Sequence, residues 1–525
     1  MKSIKKFKKW ALRIGATILG IFLLLSVWVF WNLRDRHLGY NLDIAIDGSE
    51  VPGLIKVGFA ALPITPNVID TWNDKNGDSK YKEKDGDSYN DNNNNGKFDA
   101  YWIAGFSNKR AANGIHDDVW TRVVVIDDGK SRIAMVSLDA IGFRHDEVVE
   151  IRKNLPSELK VDYTSISSTH THESNDLIGI WGETPFKNGI DSENMAYVKS
   201  QTIAAIEEAV NNLRPVKLVF ANDLTNAESL LMDTRKPIVT DPGLRLMQAI
   251  DLETGSTLGT LVAWADHPET VWSDNLYISS DFPHYVREFI ENGVYDGDSL
   301  VKPGIGGTTV YVNGAIGGLM TTHPRMGVSD PFSDTIYKAP TFEKAKAQGQ
   351  HLALLSLSAL ENPDTIIEKA SLSIRAKTIN LPLKNSMFRL AAIMGVLDFG
   401  MTGWFKTRSE VSAFTLGPAS FLMVPGEIYP EIVNGGVEAP DEQDFKTVVL
   451  ETPPLREMMP GEFKFVIGLA NDEIGYILPK SQWDVEAPFA FDEKDAPYGE
   501  ENSLGPETAP ILHSVYKQIL KELAR

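Results

Sequence analysis

Residues 14–33 carry no charged side chain, and Leu, Ile, Val, Phe and Trp dominate the run. These 20 residues, at about 1.5 Å each, reach about 30 Å, the hydrocarbon thickness of a bilayer. Five lysines precede the run within residues 2–9, and Trp10, Trp28 and Trp31 lie near its ends, where interfacial aromatics sit. The pattern predicts one N-terminal transmembrane helix within a membrane anchor of residues 1–36. The lysines put its N-terminus in the cytoplasm and the rest of the chain on the periplasmic or extracellular side. A cleaved signal peptide competes for this stretch. The run is long for one, and no small-x-small cleavage pattern follows it.

Residues 37–55 read as a linker, and 56–64 as a first strand. A polar, Asp/Asn-rich stretch follows at 72–99. Beyond it the pattern alternates between the two periods. Residues 123–127 and 132–137 are β-branched runs joined at Asp128-Gly129, a hairpin signal. Residues 146–155, 195–213, 343–360 and 511–524 have helical spacing of apolar positions. Short apolar runs at 218–221, 261–265, 309–312 and 421–424, flanked by turn residues, read as buried strands. The expected fold is α/β (or α+β): one large catalytic domain, 56–525, with one mixed-sheet core and helices around it. A second apolar patch at 386–405 includes Phe388, Leu390, Ile393, Met394, Leu397 and Phe399. It is too short and interrupted to span a membrane. It reads as core packing, with a membrane-facing lip beside the site as the alternative.

Composition narrows the function classes. The chain has 525 residues, 43% hydrophobic and 23% charged, an ordinary globular balance. Its net charge is −20; residues 1–36 carry +7, so the remainder is near −27. An acidic body repels phosphates and argues against nucleic-acid binding. There is no cysteine, which excludes disulfides, zinc–thiolate sites and a thiol nucleophile. Any zinc must be held by His, carboxylate or another oxygen.

In the polar stretch, Asp91, Asn93, Asn95 and Asp99 stand at positions 1, 3, 5 and 9 of a loop with Gly96 at position 6. Alternate oxygen side chains in a tight loop suit Ca2+. Trp102 occupies the twelfth position, where an EF-hand has Glu, so this is a calcium-loop pattern and not an EF-hand.

Three further segments carry candidate chemistry. His170 and His172 follow the β-type run 163–166; on a regular strand, residues two apart share one face. His267 ends the apolar run 261–265 and is followed by Pro268. Glu427 lies just past the run 421–424, in Val424-Pro425-Gly426-Glu427. Ends of core strands favour site residues, but none of the segments is decisive alone.

Their combination and order resemble a known family. The landmarks are Gly114-Ile115-His116, Ser137-Leu138-Asp139, Ser168-Thr169-His170-Thr171-His172 and Ala265-Asp266-His267-Pro268. They continue through Asn275, Ile278 to Asp281, Asn313-Gly314, Pro425-Gly426-Glu427 and Asn471 to Tyr476. In that order they look like the landmarks of the neutral (non-lysosomal) ceramidases, over residues 55–510, as in a divergent member. The resemblance implies one zinc held by His170, His267, Glu427 and Tyr476. It implies His172 as a proton shuttle or oxyanion stabiliser, and Arg235 near the substrate carbonyl. Such a ligand set leaves zinc Lewis-acidic enough to activate water against an amide. The substrate implied is ceramide or another N-acyl sphingolipid, with Asn313, Gly317 and Gly318 against it.

Two departures stand out. Gly317 occupies the position of a family serine essential to activity, and a glycine there is expected to widen the cavity or bring a backbone N–H to the substrate. Glu173 follows His172 where the family has Ser-Gly-Pro, and reads as a carboxylate orienting a histidine or as a rim residue. The missing serine favours a zinc hydrolase of another amide or ester as the alternative. A catalytically inactive anchored binding protein is the third reading.

Overall fold

The structure is a computed structural model and describes residues 2–318, 320–398 and 400–524. Phe399 of the second apolar patch lies outside the described residues. Two sheets face each other. The larger has nine strands, with Arg214–Asp223 near its middle between Leu244–Asp251 and Lys56–Pro63. One side continues through Thr257–Trp264 to Thr308–Asn313; the other runs through Trp120–Asp127 and Arg132–Leu138 to Tyr163–Ser168. The smaller sheet has six strands, centred on the long antiparallel pair Leu372–Pro382 and Lys406–Leu416.

The inner faces share one apolar layer. Phe220 of the larger sheet stacks on Phe463 of the smaller at 5.0 Å between ring centroids, and Phe414, Phe421 and Phe465 continue the stack. Strands buried on both faces read as continuous apolar runs, which is why the short runs are visible in sequence. The helices before residue 400 are α1 (Lys2–Asn32), α2 (His145–Asn154), α3 (Ser192–Asn211), α4 (Phe282–Asn292), α5 (Phe342–Glu361) and α6 (Ser386–Met394). Elements α2–α5 cover the outer face of the larger sheet, and the C-terminal helix Thr508–Leu523 covers the smaller.

The α/β reading holds, but the core is two sheets and not one. The segment 37–55 is also no free linker. Asp43–Ile46 pairs antiparallel with Leu372–Pro382, and Ile44 and Ile46 pack on the shared core. Four alternating residues are too short a run to register against the polar sequence around them. Helix α1 is long and apolar enough to cross a membrane, and its span is wholly unburied by the rest of the protein.

Three parallel pairs position the site: Arg132–Leu138 with Tyr163–Ser168, Thr257–Trp264 with Thr308–Asn313, and Ala419–Met423 with Phe463–Ile467. Their C-terminal ends point to one region, the place where α/β proteins put ligands. The loops beyond them are laced together by main-chain bonds, from Ser168 N to Leu469 O, Gly468 N to Asn313 O and Ala470 N to Val424 O.

Candidate metal centre

The Thr-His-Thr-His run is not on a strand. Pairing ends at Leu138 and Ser168, and His170 takes a left-handed φ of +68°. That conformation is costly for a residue with a Cβ and is held here by surrounding bonds. His170 N donates to Ala140 O and His172 N to Pro268 O. Both rings still enter one cavity, by a loop turn and not by strand alternation.

The imidazoles are oriented from behind. His170 Nδ1 lies 2.5 Å from Ile141 O and His267 Nδ1 lies 2.7 Å from Met320 O. A carbonyl only accepts, so each Nδ1 carries the proton and each Nε2 faces the centre. There Glu427 Oε2 stands 3.0 Å from His267 Nε2 and 3.6 Å from His170 Nε2. Glu427 is paired in register with Tyr476, and both side chains line the same cavity. Thus His170, His267, Glu427 and Tyr476, spread over 307 residues, meet at one point.

One ring nitrogen from each of His170, His172 and His267 lies within 4.8 Å of the others, a group able to hold a metal ion. Both nitrogens of His172 are buried without a hydrogen-bond partner. Converging imidazole nitrogens beside the Glu427 carboxylate fit a divalent cation that accepts N and O ligands.

Electrostatics separates the three rings. Burial lowers His170 to about 4. Burial, then the neighbouring His170 and His267, hold His172 well below the usual imidazole value. His267 is the exception: burial lowers it, but the Glu427 hydrogen bond and charge outweigh that and lift it to about 9. Sequence reasoning assigns no role to Glu269, whose Oε2 lies 3.3 Å from His172 Nδ1 while its other oxygen accepts from Thr321 Oγ1. Its place two residues after His267 is the available signal. Glu173 is fully buried and pairs with Arg110 at 2.6 Å; Arg110 also donates to His172 O. Glu173 therefore holds the backbone of the histidine loop through Arg110 and is not a rim residue.

Two cavities meet at the histidines. One of about 200 Å³ has an apolar wall that includes Ile178, Ile180, Trp181, Phe388, Leu397 and Ile474. The other, of about 350 Å³, is bounded by Thr234, Glu269, Trp272 and His323. Phe106, His172, Tyr476 and Tyr498 line both. Gly105, at φ +102°, presses against the His172 ring, where a Cβ would come within 2.8 Å of Nδ1.

Four expected site residues are elsewhere. Arg235 lines neither cavity: it is buried over the Tyr429 ring at 4.6 Å and paired with Glu500 at 3.0 Å. Asn313 is a clasp, its Nδ2 donating to Thr169 O and Asp266 O at 2.9 and 2.8 Å, which ties the two histidine loops together. Gly317 does not widen the cavity, because a Cβ would meet Tyr429 Cδ1 at 2.2 Å and its N–H donates to Ile428 O. Gly318, at φ +77°, turns against Asp233. Gly317→Ser is therefore expected to lose about 1–3 kcal/mol of stability by overpacking and to gain no activity, as urea unfolding and an activity assay would show.

In the polar loop, Asp91 accepts from the N–H groups of Asn95 and Gly96. The Asn93 and Asn95 amides donate to Asp99 at 2.7 and 2.5 Å, and Lys97 pairs with Asp99 at 2.7 Å.

No family model matches the sequence. Among solved structures, neutral ceramidase from Pseudomonas aeruginosa aligns with a TM-score of 0.62 at 14% identity, over 90% of this chain and 74% of that one. A ceramidase complexed with C2 aligns equally well, at 0.62 and 14%, over 90% of this chain and 75% of that one. The chain has the neutral ceramidase fold.

Proposed function

We propose that this chain is a membrane-anchored zinc hydrolase that cleaves the amide bond of an N-acyl sphingolipid. The observation that carries it is the meeting of His170, His267, Glu427 and Tyr476 where an apolar cavity, lined by three of them, adjoins a second one lined by His267. The shared fold supports it, since the compared proteins are ceramidases. Zinc held by these four residues supplies Lewis acidity for attack of water on the amide carbonyl. The chain's residues do the rest. The apolar wall around Phe388, Leu397 and Ile474 takes the acyl chain and excludes bulk water. His172, unpartnered and next to Glu269, is placed to move the proton from the attacking water to the leaving nitrogen as the C–N bond breaks. The products are a carboxylate and a free amine. In this reading α1 is an uncleaved anchor with a cytoplasmic N-terminus, and it keeps the site near its lipid substrate.

The packed Gly317 favours a second reading on the same centre: hydrolysis of another amide or an ester, with no serine involved. The test is metal content plus fatty-acid release from N-acylsphingosine by the purified full chain in detergent. About one zinc per chain and turnover abolished by a chelator are expected. Zinc without turnover would transfer the substrate to the second reading. Absence of zinc would sink the mechanism and leave an anchored binding protein.

A further inference from the structure

Helix α6 has two unlike faces. Phe388 turns inward and, with Leu397 just beyond the helix, lines the apolar cavity. Met387, Leu390 and Met394 recur at helical spacing on the outside and are 68%, 46% and 37% exposed. Beside them the tip of the hairpin between Met401–Gly403 and Lys406–Leu416 holds out Trp404, 85% exposed. The tip and the helix are in contact, since the Arg389 guanidinium lies 4.8 Å over the Phe405 ring. A contiguous exposed apolar patch of this kind marks an interaction surface.

The anchor helix identifies what covers it. Asn32, the last residue of α1, donates from Nδ2 to Ile393 O of α6 at 2.9 Å. Gly395, which caps α6, lies against the same side chain, where a Cβ would come within 3.0 Å. The next residues lock the exit of the helix to the body. Asp35 pairs with Arg408 through two bonds of 2.9 and 2.6 Å, Arg36 with Glu147 at 2.6 Å, and His37 Nε2 bonds Asp146 O at 2.8 Å. The body therefore leaves α1 at a fixed joint and not on a slack tether. The end of an apolar span, marked by Trp28 and Trp31, lies at a membrane–water interface, and α6 adjoins it. Charge agrees. Between Leu383 and Thr407 the chain carries Lys384, Arg389 and Lys406 against the single carboxylate of Asp398, in a body that is otherwise strongly acidic. Cations beside an apolar surface suit anionic lipid headgroups.

We propose that α6 and the Trp404 hairpin tip form a membrane-seated lip, bedded in the interfacial layer of the bilayer that α1 enters, so that the apolar cavity opens onto lipid. An amphiphile then passes from the bilayer along α6 to Phe388 and Leu397 without crossing water. This rests on the anchor reading of α1 and on no part of the metal chemistry.

The test uses the full chain in bilayer nanodiscs of zwitterionic and anionic phospholipid. Because the sequence has no cysteine, Leu390→Cys and Trp404→Cys each give a unique thiol for an environment-sensitive fluorophore. Leu390 is half-exposed and Trp404 touches Phe405 only at the hairpin tip, so neither change reaches the buried core. With brominated acyl chains in the disc, a blue shift and about a two-fold loss of emission are expected at both positions. None is expected at Leu300→Cys, an exposed apolar control on Ser299–Pro303. Unquenched emission at 390 and 404 would overturn the proposal. So would a disulfide between two copies at 390, which would make the face a self-association surface. The readout is independent of turnover, so a chain that hydrolyses nothing can still confirm the lip.

Discussion

His267→Ala is expected to abolish both bound zinc and amide hydrolysis, while His172→Ala keeps about one zinc per chain and loses about 100- to 10,000-fold in kcat. The two histidines are near neighbours, with ring centroids 5.8 Å apart, yet they differ in what surrounds them. His267 is fixed through Nδ1 by Met320 O behind it, and its Nε2 faces Glu427 on the side of the cavity. On the proposed reading, removing it takes away a ligand and leaves Glu427 with a buried negative charge beside His170. His172 has no such fixing bond, and Glu269 Oε2 stands 3.3 Å from its Nδ1. That is the setting of a group that changes protonation during a reaction. The competing ligand set is His170, His172 and His267, whose nitrogens also converge. Metal analysis of the purified variants decides between them. If His172→Ala is purified without zinc, the three-histidine set holds the metal and Tyr476 does not. If it keeps zinc with unchanged kcat, His172 has no part in proton transfer.

Much of this architecture is legible in the sequence because the signals are local. The hairpin at Asp128-Gly129 is present, with Gly129 at φ +86°. The helix expected over 146–155 spans His145–Asn154, and the one expected over 343–360 spans Phe342–Glu361. Apolar periodicity reports which face of an element is buried, and it does so within a few residues. Partners distant in sequence are different. Arg235 has the look of a substrate contact, but its carboxylate, Glu500, lies 265 residues away. Asn313 binds Thr169 and Asp266, 144 and 47 residues away, so its role as a clasp exists only in the folded chain. Gly317 reads as open space in the sequence; the occupant, Tyr429, comes from another loop. The second sheet escapes detection for a related reason. Its long hairpin mixes buried charges such as Glu410 and Arg408 with apolar positions, and those charges are tolerated only because distant partners meet them.

That dependence sets the largest expected loss of stability. Arg152→Met is expected to cost about 3–5 kcal/mol at neutral pH, measured by urea unfolding of the full chain in detergent. Glu410 is fully buried, and Arg152 meets its two oxygens at 2.6 and 2.9 Å while Tyr163 donates to it at 2.6 Å. A methionine keeps the unbranched stem as far as the position of Nε but strands the carboxylate. Burial pushes Glu410 up; the Arg152 charge and hydrogen bonds outweigh this and hold it below the ordinary 4.5. A depressed carboxylate contributes stability that is fully present above about 4.5 and is lost as pH falls through the native value. Without Arg152 burial alone acts and lifts the Glu410 carboxyl above 4.5, so the deficit of the variant is largest at neutral pH and already shrinks as pH falls toward about 4.5. A deficit that stays constant with pH would assign the loss to packing. The pair also reaches the site. Arg152 Nη2 donates to Asn471 Oδ1 at 3.1 Å, and the same oxygen accepts from Ile166 N at 3.0 Å, which aligns the Tyr476 loop with the strand leading to His170. Zinc occupancy is therefore expected to fall in Arg152→Met although Arg152 touches no ligand, and normal occupancy in the folded variant would show that Asn471 holds this alignment without it.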